Sequence, residues 1–235
     1  MRCADASSVS RRPLLVELVG PPGVGKSTIS EALLRRDDRI QARPLPRRRA
    51  YAGVLGWNLL AVVTMALRHR MLRRFDGEGL RALTYLRALP RILEARSSDG
   101  VVVFDQGPIF LLTRPPTLDE RLTGWHTRAL ATWDALLDVV VVLDAPDAVL
   151  IDRINTRSKE HRVKGSYAGT AAAFLAQSRA VYDAAIGGLG QHASNATILR
   201  FDTSRHSPAE VVEEIVATVA QLRPGLDLRS APSPS

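Results

Sequence analysis

The chain of 235 residues contains one cysteine, Cys3, and only three lysines, Lys26, Lys159 and Lys164. A lone cysteine in a polar leader excludes an internal disulfide framework and suits a reducing compartment, so a cytoplasmic location is expected. With so little lysine, the net charge of +8 is carried almost wholly by arginine. Basicity that composition bias alone can produce is no argument for nucleic acid, and none is expected as a partner. Long hydrophobic runs are also scarce. The longest, at 51–67, falls short of the ~20 residues a bilayer requires and is diluted by Gly53, Gly56, Asn58 and Thr64. No transmembrane span is expected, and a buried helix is the simplest reading of that run. The leader "MRCADASSVSRR" lacks the apolar centre of a secretion signal.

What is present is enough apolar material, 46% of the chain, for one sizeable core. A single domain is expected over 13–222, between a disordered leader at 1–12 and a disordered Pro/Ser-rich tail at 223–235. Within it the basic residues gather at Arg47, Arg48 and Arg49, at 68–74 and at 153–164; such clusters mark anionic partners better than totals do.

Short β-branched runs alternate with helical patterns. "PLLVELV" (13–19), "GVVVFD" (100–105), "DVVVVLD" (138–144) and "ATILRF" (196–201) are continuous apolar stretches of strand length, with "RIQARPL" (39–45) a weaker fifth. Helices are expected to begin near Gly25, Tyr51, Gly79, Leu118, Asp147, Thr170 and Pro208. Thr117 with Glu120, and Ser207 with Glu210 behind Pro208, have capping-box spacing. The alternation predicts a three-layer α/β sheet with right-handed crossovers, and ligands in such sheets sit beyond the carboxyl ends of the strands.

At one such end lies "GPPGVGKST", Gly20, Pro21, Pro22, Gly23, Val24, Gly25, Lys26, Ser27 and Thr28. The G-x-x-x-x-G-K-[ST] spacing between a strand and a helix is that of a phosphate loop, or Walker A motif. Glycines let successive N–H groups face an anion, Lys26 reaches the β- and γ-phosphates, and Ser27 offers a ligand to Mg²⁺. A bound nucleoside triphosphate follows. A GTPase does not, because the chain has no Asn-Lys-x-Asp. Asp105 ends the third strand in "VVVFDQGP", where a carboxylate holds the metal shell or takes an acceptor proton. Arg153 and Arg157, four apart in a helix from Asp147, share a face and open a polar basic stretch over 153–168 that suits a lid closing on phosphates.

The phosphate loop, the strand-end Asp105, "LDAPDAVLIDRINTR" and "FLAQSRAVYDAAI" (174–186), in that order ahead of "ILRFDTS", resemble the thymidylate kinase and deoxynucleoside kinase family. The resemblance implies the P-loop nucleoside triphosphate hydrolase fold, with a five-stranded parallel sheet in the order 2-3-1-4-5. It also implies ATP with Mg²⁺ at Ser27 and Asp105, and a lid in which Arg153 stacks on adenine and Arg157 neutralises the transferring phosphoryl. The acceptor would be a small molecule held between 47–85 and the helix after Pro108. The chain departs from the family at Gln106, where family members place an acceptor-holding arginine, and in the uncharged Pro21, Pro22 and Val24. Loss of that charge disfavours a phosphorylated acceptor. Two readings follow: an ATP-dependent small-molecule kinase, or a nucleotide-binding regulatory or membrane-peripheral ATPase. The run at 51–67 is open to use as core, as an apolar acceptor wall, or as the face of a homodimer.

Overall fold

The computed structural model describes residues 12–42, 52–71, 76–94, 99–157, 164–189, 196–226 and 228. Cys3, Arg47, Arg48, Arg49, Tyr51, Lys159 and Arg162, with residues 1–11, 227 and 229–235, lie outside the described residues.

Five strands form one parallel sheet: β1 (Leu14–Val19), β2 (Ile40–Gln41), β3 (Val101–Phe104), β4 (Val139–Asp144) and β5 (Thr197–Asp202). Their spatial order is β2-β3-β1-β4-β5, as the family resemblance implies. β1 is central, with Glu17 opposite Phe104 on one side and Val140 on the other. β2 covers two described residues; positions 43–45 of the run expected there lie outside the described residues.

The continuous apolar runs are explained by cover on both faces. Leu14, Val16 and Leu18 point toward α1 (Lys26–Arg36) and α8 (Pro208–Leu222), meeting Ile29, Leu33, Val211 and Ile215. Leu15 and Val19 point the other way, into a cluster with α3 (Gly77–Glu94), α4 (Pro108–Leu112), α5 (Thr123–Asp134) and α7 (Ala168–Leu189). Trp133 fills the middle of that second layer and is fully buried. α6 (Asp147–Thr156) joins the first layer through Leu150 and Ile154.

Three local expectations are corrected and one holds. The helix at α2 (Ala52–Arg68) is buried only along Asn58, Val62 and Ala66, one line at i, i+4 and i+8; Leu55, Ala61, Val63 and Met65 beside it are half-buried, and Val54, Trp57, Leu59, Leu60 and Leu67 are exposed. Thr117 does not cap a helix. It is buried and its hydroxyl bonds back to carbonyl oxygens of Leu111, Leu112 and Arg114, while Asp119 caps the short turn Glu120–Leu122 and α5 starts only at Thr123. The pairing at Ser207 and Glu210 does form a capping box. Lastly, the boundaries expected at 12/13 and 222/223 fall within packed chain. Arg12 pairs with Asp138 at 2.7 Å, Arg223 donates to the Arg12 carbonyl, and Leu226 and Leu228 are buried in the first layer.

Candidate active site

β1 runs directly into the phosphate loop. Gly20 adopts φ +143°, and a Cβ there would collide with the Leu143 carbonyl of β4, so only glycine lets the chain leave the sheet at this point. The loop turns through Gly23 and Gly25, also at positive φ, into α1. No side chain caps α1, which leaves its first-turn N–H groups and positive end to an anion. Ser27 and Thr28 are exposed on that turn.

Lys26 lies across the loop, with Nζ donating to the carbonyls of Gly20 at 2.6 Å and Pro21 at 3.0 Å. Burial lowers its pKa to about 8; the nearby negative charge of Asp105 opposes that shift and the positive charge of Arg157 reinforces it. Lys26 thus feels both charges; it shares a cavity with Arg157, whereas Asp105 is not part of that cavity's lining.

Asp105 is one position beyond the last β1–β3 pair, Glu17 and Phe104, at the same sheet edge as the loop, and is exposed. What fixes this edge is a residue that sequence reading missed. Glu17 is fully buried, and its carboxylate accepts the backbone N–H groups of Ile109 and Phe110, each at 3.0 Å, with a further backbone bond from Gly107. Gly107 has no room for a side chain, because a Cβ would lie 2.6 Å from Phe104 Cβ and 2.7 Å from the Glu17 carboxyl carbon. Burial pushes Glu17 up to about 8 even though these donors favour the anion. Desolvation also raises the Tyr182 phenol, as does the charge of Glu17; the Tyr182 side chain is hydrogen-bonded to that of Thr113. A lone acid inside an apolar strand carries no spacing signal, which is why it went unnoticed.

On the opposite side, Arg153 sets its guanidinium against Thr203, donating to Oγ1 and to the carbonyl, both at 2.9 Å. α6 ends at Thr156, and Arg157 has left the helix for an extended conformation, so the shared helical face expected for this pair is not what aligns them. They line one cavity all the same. Arg157 Nε is buried and has no hydrogen-bond partner among the described residues. Arg179, also unforeseen, steadies the base of this region by bonding Asp144 at 2.8 and 3.0 Å, Asp147 at 2.6 Å and the Ala145 carbonyl at 2.9 Å.

The cavity, about 630 Å³, is floored by the phosphate loop. Its walls include Arg153, Thr203, His206 and Pro208, and also Gln106, Phe110, Phe174, Ser178 and Tyr182. For Mg²⁺, the exposed Ser27 hydroxyl and Asp105 carboxylate are hard oxygen donors that make no internal hydrogen bond or ion pair among the described residues. That donor set fits an ion that keeps most of its water and shares the substrate's phosphates. No cluster of three or more His, Cys, Asp or Glu side chains builds a closed metal cage among the described residues.

No protein-family model and no curated protein matches the chain. Among solved structures, the YorR protein from Bacillus subtilis, in complex with phosphorylated GDP, aligns over 88% of this chain and 96% of that one, with 16% identity and a TM-score of 0.50. This chain shares that fold, a five-stranded parallel sheet in the order 2-3-1-4-5 covered by helices on both faces. Deoxyadenosine kinase from M. mycoides, with dCMP and dCDP bound, aligns at 14% identity over 89% of this chain and 100% of that one, TM-score 0.49. Thymidylate kinase from Candida albicans aligns at 12% identity over 93% and 96%, TM-score 0.47. At such identities the likeness is one of fold, and any activity must be argued from the chain's own site. Among the described residues no helix is long and apolar enough to cross a membrane.

Proposed function

We propose that the chain is an ATP-dependent phosphotransferase that moves the γ-phosphoryl group to a hydroxyl of a small molecule. One observation carries this reading. Lys26 and Arg157 converge on a cavity at the N-terminus of α1, and among the described residues no carboxylate lies within ion-pair distance of either. Paired cations and free helix N–H groups, with a buried guanidinium nitrogen lacking a partner, suit the oxygens of a triphosphate. Arg153, held flat by Thr203 beside His206 and Pro208, suits stacking on the base.

In the reaction the acceptor oxygen forms a bond to the γ-phosphorus as the bond to the β,γ-bridging oxygen breaks, and ADP leaves with that electron pair. The acceptor's proton passes to Asp105. Lys26 and Arg157 stabilise charge spread over the transferring group, and the phosphate-loop backbone orients it. Ser27, together with Asp105 where that carboxylate does not serve as the base, would hold Mg²⁺, which would supply further neutralisation of the phosphate charge. Beyond Gln106 the wall is made by Phe110, Phe174, Ser178 and Tyr182, none of them charged at neutral pH, which suits an acceptor that is neutral at its reacting end.

The test is a screen of hydroxylated metabolites with γ-labelled ATP. Label in one product, in equal amount to ADP formed, supports the proposal. ATP consumption that no metabolite converts into labelled product contradicts it and favours the regulatory ATPase.

A further inference from the structure

We propose that α2 is a docking surface for the face of an anionic lipid bilayer. The inference is independent of the chemistry proposed above, since it rests on a different part of the molecule. From Ala52 to Leu67 the helix has no charged residue, and it ends on Arg68. A helix that is apolar all round is normally enclosed, yet only Asn58, Val62 and Ala66 are buried. Trp57 is 66% exposed, Leu60 59% and Leu67 57%. One flank of this ridge forms a groove of about 620 Å³ against α3 and α5, and four arginines line it: Arg68, Arg87, Arg121 and Arg128. No acidic side chain lines the groove, and among the described residues none of the four arginines is ion-paired.

Charge complementarity decides the occupant. A second copy docked through the same face by two-fold symmetry would bring its own four arginines to the groove, in a chain already at +8. Immersion across a bilayer does not suit α2, which at 17 residues is not long and apolar enough to cross one. An interfacial position satisfies both features. Trp57, Leu60 and Leu67 enter the boundary between headgroups and acyl chains, while the arginines remain level with anionic headgroups. Trp is suited to that depth, having an apolar body and one polar N–H.

The test is cosedimentation of the full chain with phosphatidylcholine vesicles and with vesicles containing 30% phosphatidylglycerol, followed by tryptophan emission. The expected result is at least tenfold tighter binding to the anionic vesicles and a blue shift that Trp57→Phe removes. Leu60→Asp should weaken binding tenfold or more, and Arg121→Glu with Arg128→Glu should do the same. All these positions are exposed, so nucleotide binding serves as a check that each variant is folded. Absence of vesicle binding overturns the proposal. So does binding that Leu60→Asp leaves intact, which would reflect net charge alone. A dimer of the unaltered chain that Leu60→Asp dissociates, with no affinity for vesicles, would assign the face to a second copy; tight binding of an acidic amphipathic peptide with no vesicle binding would assign it to a protein partner. Either result overturns the proposal.

Discussion

Glu17 and Ile109 are 92 positions apart in sequence, and the carboxylate of one accepts the backbone N–H of the other at 3.0 Å inside the core. This bond and its neighbour to Phe110 tie the start of α4 to the central strand, and with it the segment bearing Asp105 and Gln106.

Glu17→Ala leaves buried N–H groups unpaired and should cost at least ~2 kcal/mol, given about 1–3 kcal/mol for each such group. The pH dependence has a definite sign. With a folded pKa of about 8 against an ordinary 4.5, the folded chain keeps a proton that the unfolded chain has lost. Stability from this group therefore falls as pH rises from about 4.5 to about 8 and is level above that. Denaturant midpoints across pH 4.5–8.5 check it, and Glu17→Gln should flatten the slope.

Lys26 titrates near 8 in the nucleotide-free protein, and phosphates raise that value by favouring the charged amine. Nucleotide affinity should be independent of pH below about 8 and weaken above it, with proton uptake on binding rising from none well below pH 8 toward one above it. Calorimetry in buffers of different ionisation heat measures that proton directly. Lys26→Ala should abolish transfer while leaving the fold intact.

Arg153 and Arg157 should separate kinetically. Arg153→Ala removes the plane fixed on Thr203 and should chiefly weaken ATP binding, by roughly 1–2 kcal/mol. Arg157→Ala removes charge from the transferring group and should chiefly lower turnover, by roughly 2–4 kcal/mol in barrier. Titration and single-turnover rates distinguish the two.

Much of this architecture was legible because a buried parallel sheet writes long apolar runs, and because the phosphate loop fixes residue types at fixed intervals. The remainder lies where one local pattern is overruled by a distant contact. Thr117 has the spacing of a cap, but its hydroxyl is drawn to three carbonyls of the preceding turn. α4 has five residues, too few for a helical period. Arg157 is positioned by the chain leaving α6, not by a shared turn with Arg153. α2 reads as core from its composition, and only the packed structure shows that one line of it is covered.

Gln106 lines the cavity. Gln106→Arg should improve use of a phosphorylated acceptor by about 1.5–3 kcal/mol, the scale of a hydrogen bond to a charged group. Steady-state kcat/KM for matched neutral and phosphorylated acceptors reads the change.

The central claim is phosphoryl transfer from ATP to a neutral hydroxyl at the site of Lys26 and Arg157. It is tested most directly by following γ-label from ATP into a panel of nucleosides, nucleoside monophosphates and neutral hydroxylated metabolites, with the unaltered chain and with Lys26→Ala. The account predicts one labelled product from a neutral acceptor, formed in equal amount to ADP and absent with Lys26→Ala. Label found only in a product of a monophosphate, or undiminished transfer by Lys26→Ala, would contradict it.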